Sequence, residues 1–128
     1  MTTAQNTDTS VLKEAELLRK VYAAFNRRDV EAVLAAMQGD VDWPNGWEGG
    51  RVRGKGAVRE YWLRQFQALN PRVHPQGFTA ESDGRVAVRV HQIVHDVAGN
   101  LLFDGVIQHV YEFRDGLIAS MEIGNSLS

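Results

Sequence analysis

Leu101-Leu-Phe-Asp-Gly-Val-Ile-Gln-His-Val-Tyr-Glu-Phe113, followed by Arg114-Asp115-Gly116, is the stretch from which the fold is read. It is the longest β-like run in the chain, bounded by Gly99-Asn100 before it and Asp115-Gly116 after it. Side chains alternate faces along a strand, so Phe103, Gly105, Ile107, His109, Tyr111 and Phe113 share one side. Leu102, Asp104, Val106, Gln108, Val110 and Glu112 share the other. The first set is apolar, with one ionisable group, His109, in its middle. That is the pattern of a pocket wall.

The preceding strand, Arg85 to Val97, alternates in the same way, with Val86, Val88, Val90, Gln92 and Val94 against Ala87, Arg89, His91, Ile93 and His95. A slip of one residue would exchange the faces, so polarity must choose the register. Placing Val88 opposite His109 gathers the valines with Ile107 and Tyr111 on one buriable face, where Gln92 and His109 are the polar members. The alternative mixes charge into both faces. The outer face keeps Ile93, Val106 and Val110 among its ionisable residues, which suits a subunit contact better than water. A homodimer through that face is therefore predicted.

Working outward, Leu117 to Gly124 returns as a strand after Asp115-Gly116, and Arg72 to Glu81 is a strand that Pro75 and Gly77 confine to an edge or a bulge. Upstream, Val11, Ala15, Leu18, Tyr22 and Phe25 are spaced by four, three, four and three, one stripe of a helix from Ser10 to Asn26 capped by Thr9 or Ser10. Asp29 is placed to cap a second helix, Val30 to Met37, ended by Gly39-Asp40. Val41 to Trp43 reads as a short extended piece, and a third helix runs from about Gly56 to Leu69. The basic run Arg51, Arg53, Lys55, Arg59 reads as a solvated loop and helix start. Residues 1–9 read as a mobile polar tail and 10–128 as one α+β domain, with a curved sheet packed on three N-terminal helices.

Composition narrows the function. The 128 residues include no cysteine, which excludes disulfides and thiolate metal sites. A net charge of −2 with interspersed signs argues against a nucleic-acid surface and gives no reason for membrane binding. The N-terminus lacks the apolar core of a signal peptide, so a cytoplasmic protein is expected. His91 and His95 share a strand face but stand about 13 Å apart by strand rise, too far to share a metal. Neither metal nor cofactor is expected.

Four motifs in order, Tyr22-Ala-Ala-Phe-Asn-Arg-Arg-Asp29, Val41-Asp-Trp-Pro44, Gly54-Lys-Gly-Ala-Val-Arg-Glu-Tyr-Trp62 and His109-Val-Tyr-Glu-Phe-Arg-Asp-Gly-Leu-Ile118, resemble the nuclear transport factor 2-like superfamily, in its SnoaL-like and ketosteroid isomerase-like branch. The resemblance spans residues 10 to 125. It implies a cone, a curved antiparallel sheet around helices with a ligand cavity at the open end, and a homodimer. Ketosteroid isomerase chemistry does not carry across: the place of its base falls at Trp43, that of its tyrosine at Val21 with Tyr22 one residue away on the wrong bearing, and that of its oxyanion acid at His109.

His109 is the first catalytic candidate, because an imidazole in an apolar cavity stays neutral near pH 7 and can donate to or accept from a ligand oxygen. Its bland alternative is a core histidine bonded to a side chain such as Gln92. Asp42 is the second candidate, a base if the Pro44 bend turns it inward and otherwise an ion-pair partner of an arginine. For ligand contact, Tyr22, Trp43, Trp47, Trp62 and Tyr111 supply aromatic surface. Val88 and Ile107 add aliphatic wall, and Gln92 and Asn125 are placed to orient a carbonyl. Phe25, Trp62 and Phe66 also read as plain core, and Asn45 as a turn residue or, alternatively, a residue lining the cavity mouth. Two functions fit: a cofactor-free isomerase, dehydratase or cyclase acting on an apolar carbonyl compound, or a non-catalytic module that binds a small apolar ligand or dimerises.

Overall fold

The computed structural model describes residues 3–124, with side chains from residue 13 onward. Its elements are α1 (Thr3–Asn26), α2 (Val30–Leu34), β1 (Met37–Pro44), β2 (Arg51–Arg53), α3 (Lys55–Ala68), β3 (Leu69–Ala80), β4 (Val86–Asp96), β5 (Leu101–Arg114) and β6 (Leu117–Ile123). The strands form one six-stranded sheet in the order β2-β1-β6-β5-β4-β3. This is the α+β architecture expected, with one correction. The sheet is mixed, because β1 runs parallel to β6.

The long meander follows from its turns and its valines. Asp115 and Gly116 both hold positive φ, 55° and 79°. A two-residue hairpin turn with two left-handed residues matches the twist of its flanking strands, which is why Asp-Gly serves there. Val88 does lie opposite His109, as polarity required, and Val90 opposite Ile107. Val86, Val88 and Val90 are at most 1% exposed. Each contributes roughly 1.5–3 kcal/mol by leaving water, and a one-residue slip would forfeit all three. β3 is an edge strand, and its register shifts between Pro75 and Gly77. Proline lacks the N–H that a central strand needs, so both outcomes follow from the two prolines it carries.

Elsewhere the boundaries move. α1 begins at Thr3, upstream of the expected cap at Thr9 or Ser10, whose side chains lie outside the described residues, as do residues 1 and 2 of the expected tail. α2 stops at Leu34, not Met37, although Asp29 does cap it by accepting from the Ala32 N–H at 3.2 Å. The chain then enters β1 three residues on, where the Ile118 N–H donates to the Ala36 carbonyl and Met37 pairs with Ile118. The partners that make Met37–Asp40 a strand are 80 residues downstream, beyond the reach of local pattern. Arg51–Arg53 is likewise not a solvated loop but a short strand on the edge of β1.

Helices α1, α2 and α3 cover the valine face of the sheet. Leu18, Val21 and Tyr22 from α1, Val33 and Leu34 from α2, and Val58, Tyr61 and Trp62 from α3 join the sheet residues in one core. The stripe read at three-and-four spacing in α1 is the stripe that packs.

Candidate functional site

Between this face and the helices lies a cavity of about 520 Å³. α1 lends it Val21, Tyr22 and Phe25, β1 Trp43 and Pro44, and α3 Tyr61, Trp62 and Gln65. β4 adds Gln92 and Val94, β5 Ile107, His109 and Tyr111, and β6 Met121 and Ile123. The aromatic wall is keyed together edge to face, with Trp43 against Trp62 at 5.6 Å and Phe25 against Trp62 at 5.4 Å between ring centres.

At the base of the cavity three polar groups form a chain. Tyr111 Oη–H donates to Tyr22 Oη at 2.8 Å, and Tyr22 Oη lies 2.8 Å from His109 Nδ1. A phenol has one proton, and Tyr22 already accepts from Tyr111, so its own proton goes to Nδ1. The imidazole proton is then on Nε2. Tyr22 and His109 rings stack at 14°. No buried side-chain nitrogen or oxygen among the described residues lacks a partner. Nδ1 to Tyr22 is the bond that His109 makes among them, so Nε2 reaches open cavity space.

Burial sets the charge states. Desolvation lowers the His109 pKa to about 4, so the ring is neutral at pH 7. Desolvation likewise raises Tyr111, and raises Tyr22 well above the usual phenol range with the neighbouring Tyr111 adding to it. No Asp, Glu, Lys or Arg is among the described residues that line the cavity. The arrangement is a neutral, oriented hydrogen-bond donor in an apolar chamber.

Eight of the residues read from sequence meet here: Tyr22, Trp43, Trp47, Trp62, Gln92, Ile107, His109 and Tyr111. Val88 is fully buried beside His109 on the neighbouring strand and is no part of the lining. Asn125 lies outside the described residues. Asp42 is turned from the cavity, with Arg51 Nε donating to its Oδ1 at 2.7 Å, which is the ion-pair alternative. Tyr22 corrects the expectation of a wrong bearing, since its phenol bonds His109; the side-chain bond of the bland alternative exists, with Tyr22 in place of Gln92. Its place in the apolar stripe of α1 was the signal for this. Trp47 sits at the rim, 39% exposed, on a loop whose Glu48 accepts from Arg64 at 2.9 Å. Asn45 organises that loop by accepting from the Trp47 and Glu48 N–H groups, the turn role read for it.

A family model for the SnoaL-like domain matches residues 18–121. The chain belongs to the SnoaL-like domain family. Among solved structures this SnoaL-like domain is similar to a nuclear transport factor 2-like protein of unknown function from Burkholderia pseudomallei, with 28% identity, a TM-score of 0.75 and coverage of 87% of this chain and 88% of that one. TerC, co-crystallised with polyporic acid, has 29% identity and a TM-score of 0.75, over 87% and 89% of the two chains. A candidate polyketide cyclase from Xanthomonas campestris has 25% identity and a TM-score of 0.74, over 89% and 90%. No curated protein matches the chain. Among the described residues no helix is long and apolar enough to cross a membrane, and no cluster of three or more His, Asp or Glu could hold a metal.

Proposed function

We propose that this SnoaL-like domain is a cofactor-free enzyme that isomerises, dehydrates or cyclises an apolar carbonyl compound inside the cavity. The observation that carries the reading is the Tyr111–Tyr22–His109 chain, which orients a neutral imidazole with Nε2 toward an apolar chamber. A neutral donor held in an apolar site stabilises oxygen charge as it develops and needs little reorganisation to do so. Gln92 is placed to hold a second oxygen, while Trp43, Trp62 and Tyr61 hold the rings of the substrate. The candidate polyketide cyclase and TerC with polyporic acid are relatives with the same fold; uncharged aromatic ketones are the first ligands to try, with polyporic acid, ionised at pH 7, as the charged comparison.

A second reading, a non-catalytic binding module, is favoured by one observation. No carboxylate lines the cavity, and an imidazole with a pKa near 4 is a weak base at pH 7. Titration of polyporic acid and a panel of neutral aromatic ketones, with product analysis, separates the two. Turnover that falls by about 10²–10³ in His109→Ala supports the enzyme. Binding without turnover in either protein leaves the module, and binding and turnover indifferent to His109→Ala remove the site.

The functional unit in this proposal is a homodimer through the outer sheet face, where Ile93 and Val110 sit half-buried and Ile93 lies opposite Asp104 of the His91–Asp104 pair. A single 14.3 kDa species in sedimentation at micromolar concentration would sink it.

A further inference from the structure

The polar chain at the cavity base has a second arrangement with the same protons. Tyr111 donates to Tyr22 and Tyr22 to His109 Nδ1 in the first, leaving Nε2–H as a donor to the cavity. If the imidazole proton moves from Nε2 to Nδ1 by exchange with cavity water, Nδ1–H donates to Tyr22 Oη instead. Each phenol keeps its own proton and turns its O–H about the Cζ–Oη bond, Tyr22 toward Tyr111 and Tyr111 toward the cavity it lines. Proton number and charge are unchanged, and Nε2 becomes an acceptor. Phenols suit this role because each is at once donor and acceptor; an ionised carboxylate in place of Tyr22 would only accept and so enforce one direction.

We propose that the Tyr111–Tyr22–His109 chain is a reversible polarity switch, so that the cavity binds uncharged compounds presenting either a carbonyl or an enolic or phenolic hydroxyl, the keto and enol forms of one ligand class. This deepens the reading of the cavity as a carbonyl site and rests on it. The absence of charged side chains from the described lining points the same way, since an ionised ligand would meet no counter-ion there. Arg64 and Arg51, on elements that border the cavity, are engaged by Glu48 and by Asp42 with Glu122. Tyr22 acts here as a positioning residue, because it works through the imidazole.

The test is ¹⁵N NMR of the histidine side chains with matched probes, 2-acetonaphthone as acceptor and 2-naphthol as donor, at pH 7. The expected result is His109 protonated at Nε2 with the ketone and at Nδ1 with the naphthol, and in Tyr22→Phe a several-fold larger loss of naphthol binding than of ketone binding, because Nδ1–H then has no acceptor. Binding of both probes with the same wild-type tautomer overturns the switch and leaves the carbonyl site standing. 2-Naphthoate binding as tightly as the ketone overturns the restriction to uncharged ligands, again without touching the site. Failure of all three probes to perturb the His109 signals overturns the switch together with the carbonyl-site reading.

Discussion

Tyr22 Oη sits 2.8 Å from His109 Nδ1, although 87 positions separate the two residues in the chain. One comes from the apolar stripe of a helix and the other from the apolar face of a strand. Each is the polar exception on its own element, and packing the two elements brings the exceptions together. A buried phenol and a buried imidazole would each be costly alone; paired, they satisfy one another and leave Nε2 for a ligand.

Tyr22→Phe is therefore expected to destabilise the protein by about 1–3 kcal/mol, since it leaves Nδ1 and the Tyr111 hydroxyl without their partner while hardly changing volume. Urea denaturation checks this through a lower midpoint at unchanged slope. Tyr111→Phe removes only the far end of the chain and is expected to cost less. If the two losses simply add in the double variant, the three groups do not act as a unit.

Stability should fall as pH drops from about 6.5 to about 4. The unfolded histidine takes up a proton near 6.5, whereas His109 in the folded state does so only near 4, so between those values the unfolded chain binds more protons. Acid thus favours unfolding across that window. The fully developed loss is about 3 kcal/mol, reached below pH 4. Denaturation midpoints between pH 7 and 4.5 for the wild type and His109→Gln measure it. An equal decline in both proteins would assign the acid sensitivity to other groups.

How much of this was legible beforehand varied with the range of the causal contact. β5 could be bounded from its turns, and Val88 set against His109, because alternation and polarity are properties of neighbours. The edge position of β3 followed from Pro75 and Gly77, and the α2 cap from Asp29 alone. The strand character of Met37–Asp40 was hidden, because a parallel partner at Ile118 creates it. So was β2, whose Arg51 looked solvated yet bonds Asp42, Glu122 and the Met121 carbonyl across three strands. The residues of the site could be named from alternation and helical spacing. Their hydrogen-bond order could not, because it depends on how α1 is rotated over the sheet.

The Arg51 clasp yields a further expectation. Asp42→Asn should leave ligand affinity and any turnover unchanged and cost at most about 1 kcal/mol, because both partners of the pair are 33% exposed and solvent screens it. Calorimetry with the best ligand of the panel checks the first half and urea denaturation the second. A loss of turnover at constant affinity would return Asp42 to the catalytic machinery despite its outward position.

The tryptophans divide the cavity into structural and ligand-facing parts. Trp62 is 3% exposed and packs against both Phe25 and Trp43, so Trp62→Ala should cost about 3–5 kcal/mol of stability, the range for an emptied aromatic core site. Trp47 is 39% exposed on a loop held by Asn45 and by Glu48 through Arg64, so its indole adds little to the core. Trp47→Ala is expected to change stability by less than about 1 kcal/mol while weakening an aromatic ligand several-fold, through loss of roughly 0.5–1.5 kcal/mol of ring contact at the rim. Paired melting and titration experiments on the two variants separate the roles. If Trp47→Ala binds as the wild type does, ligands lie wholly below the rim, in the chamber between Trp43, Trp62 and His109.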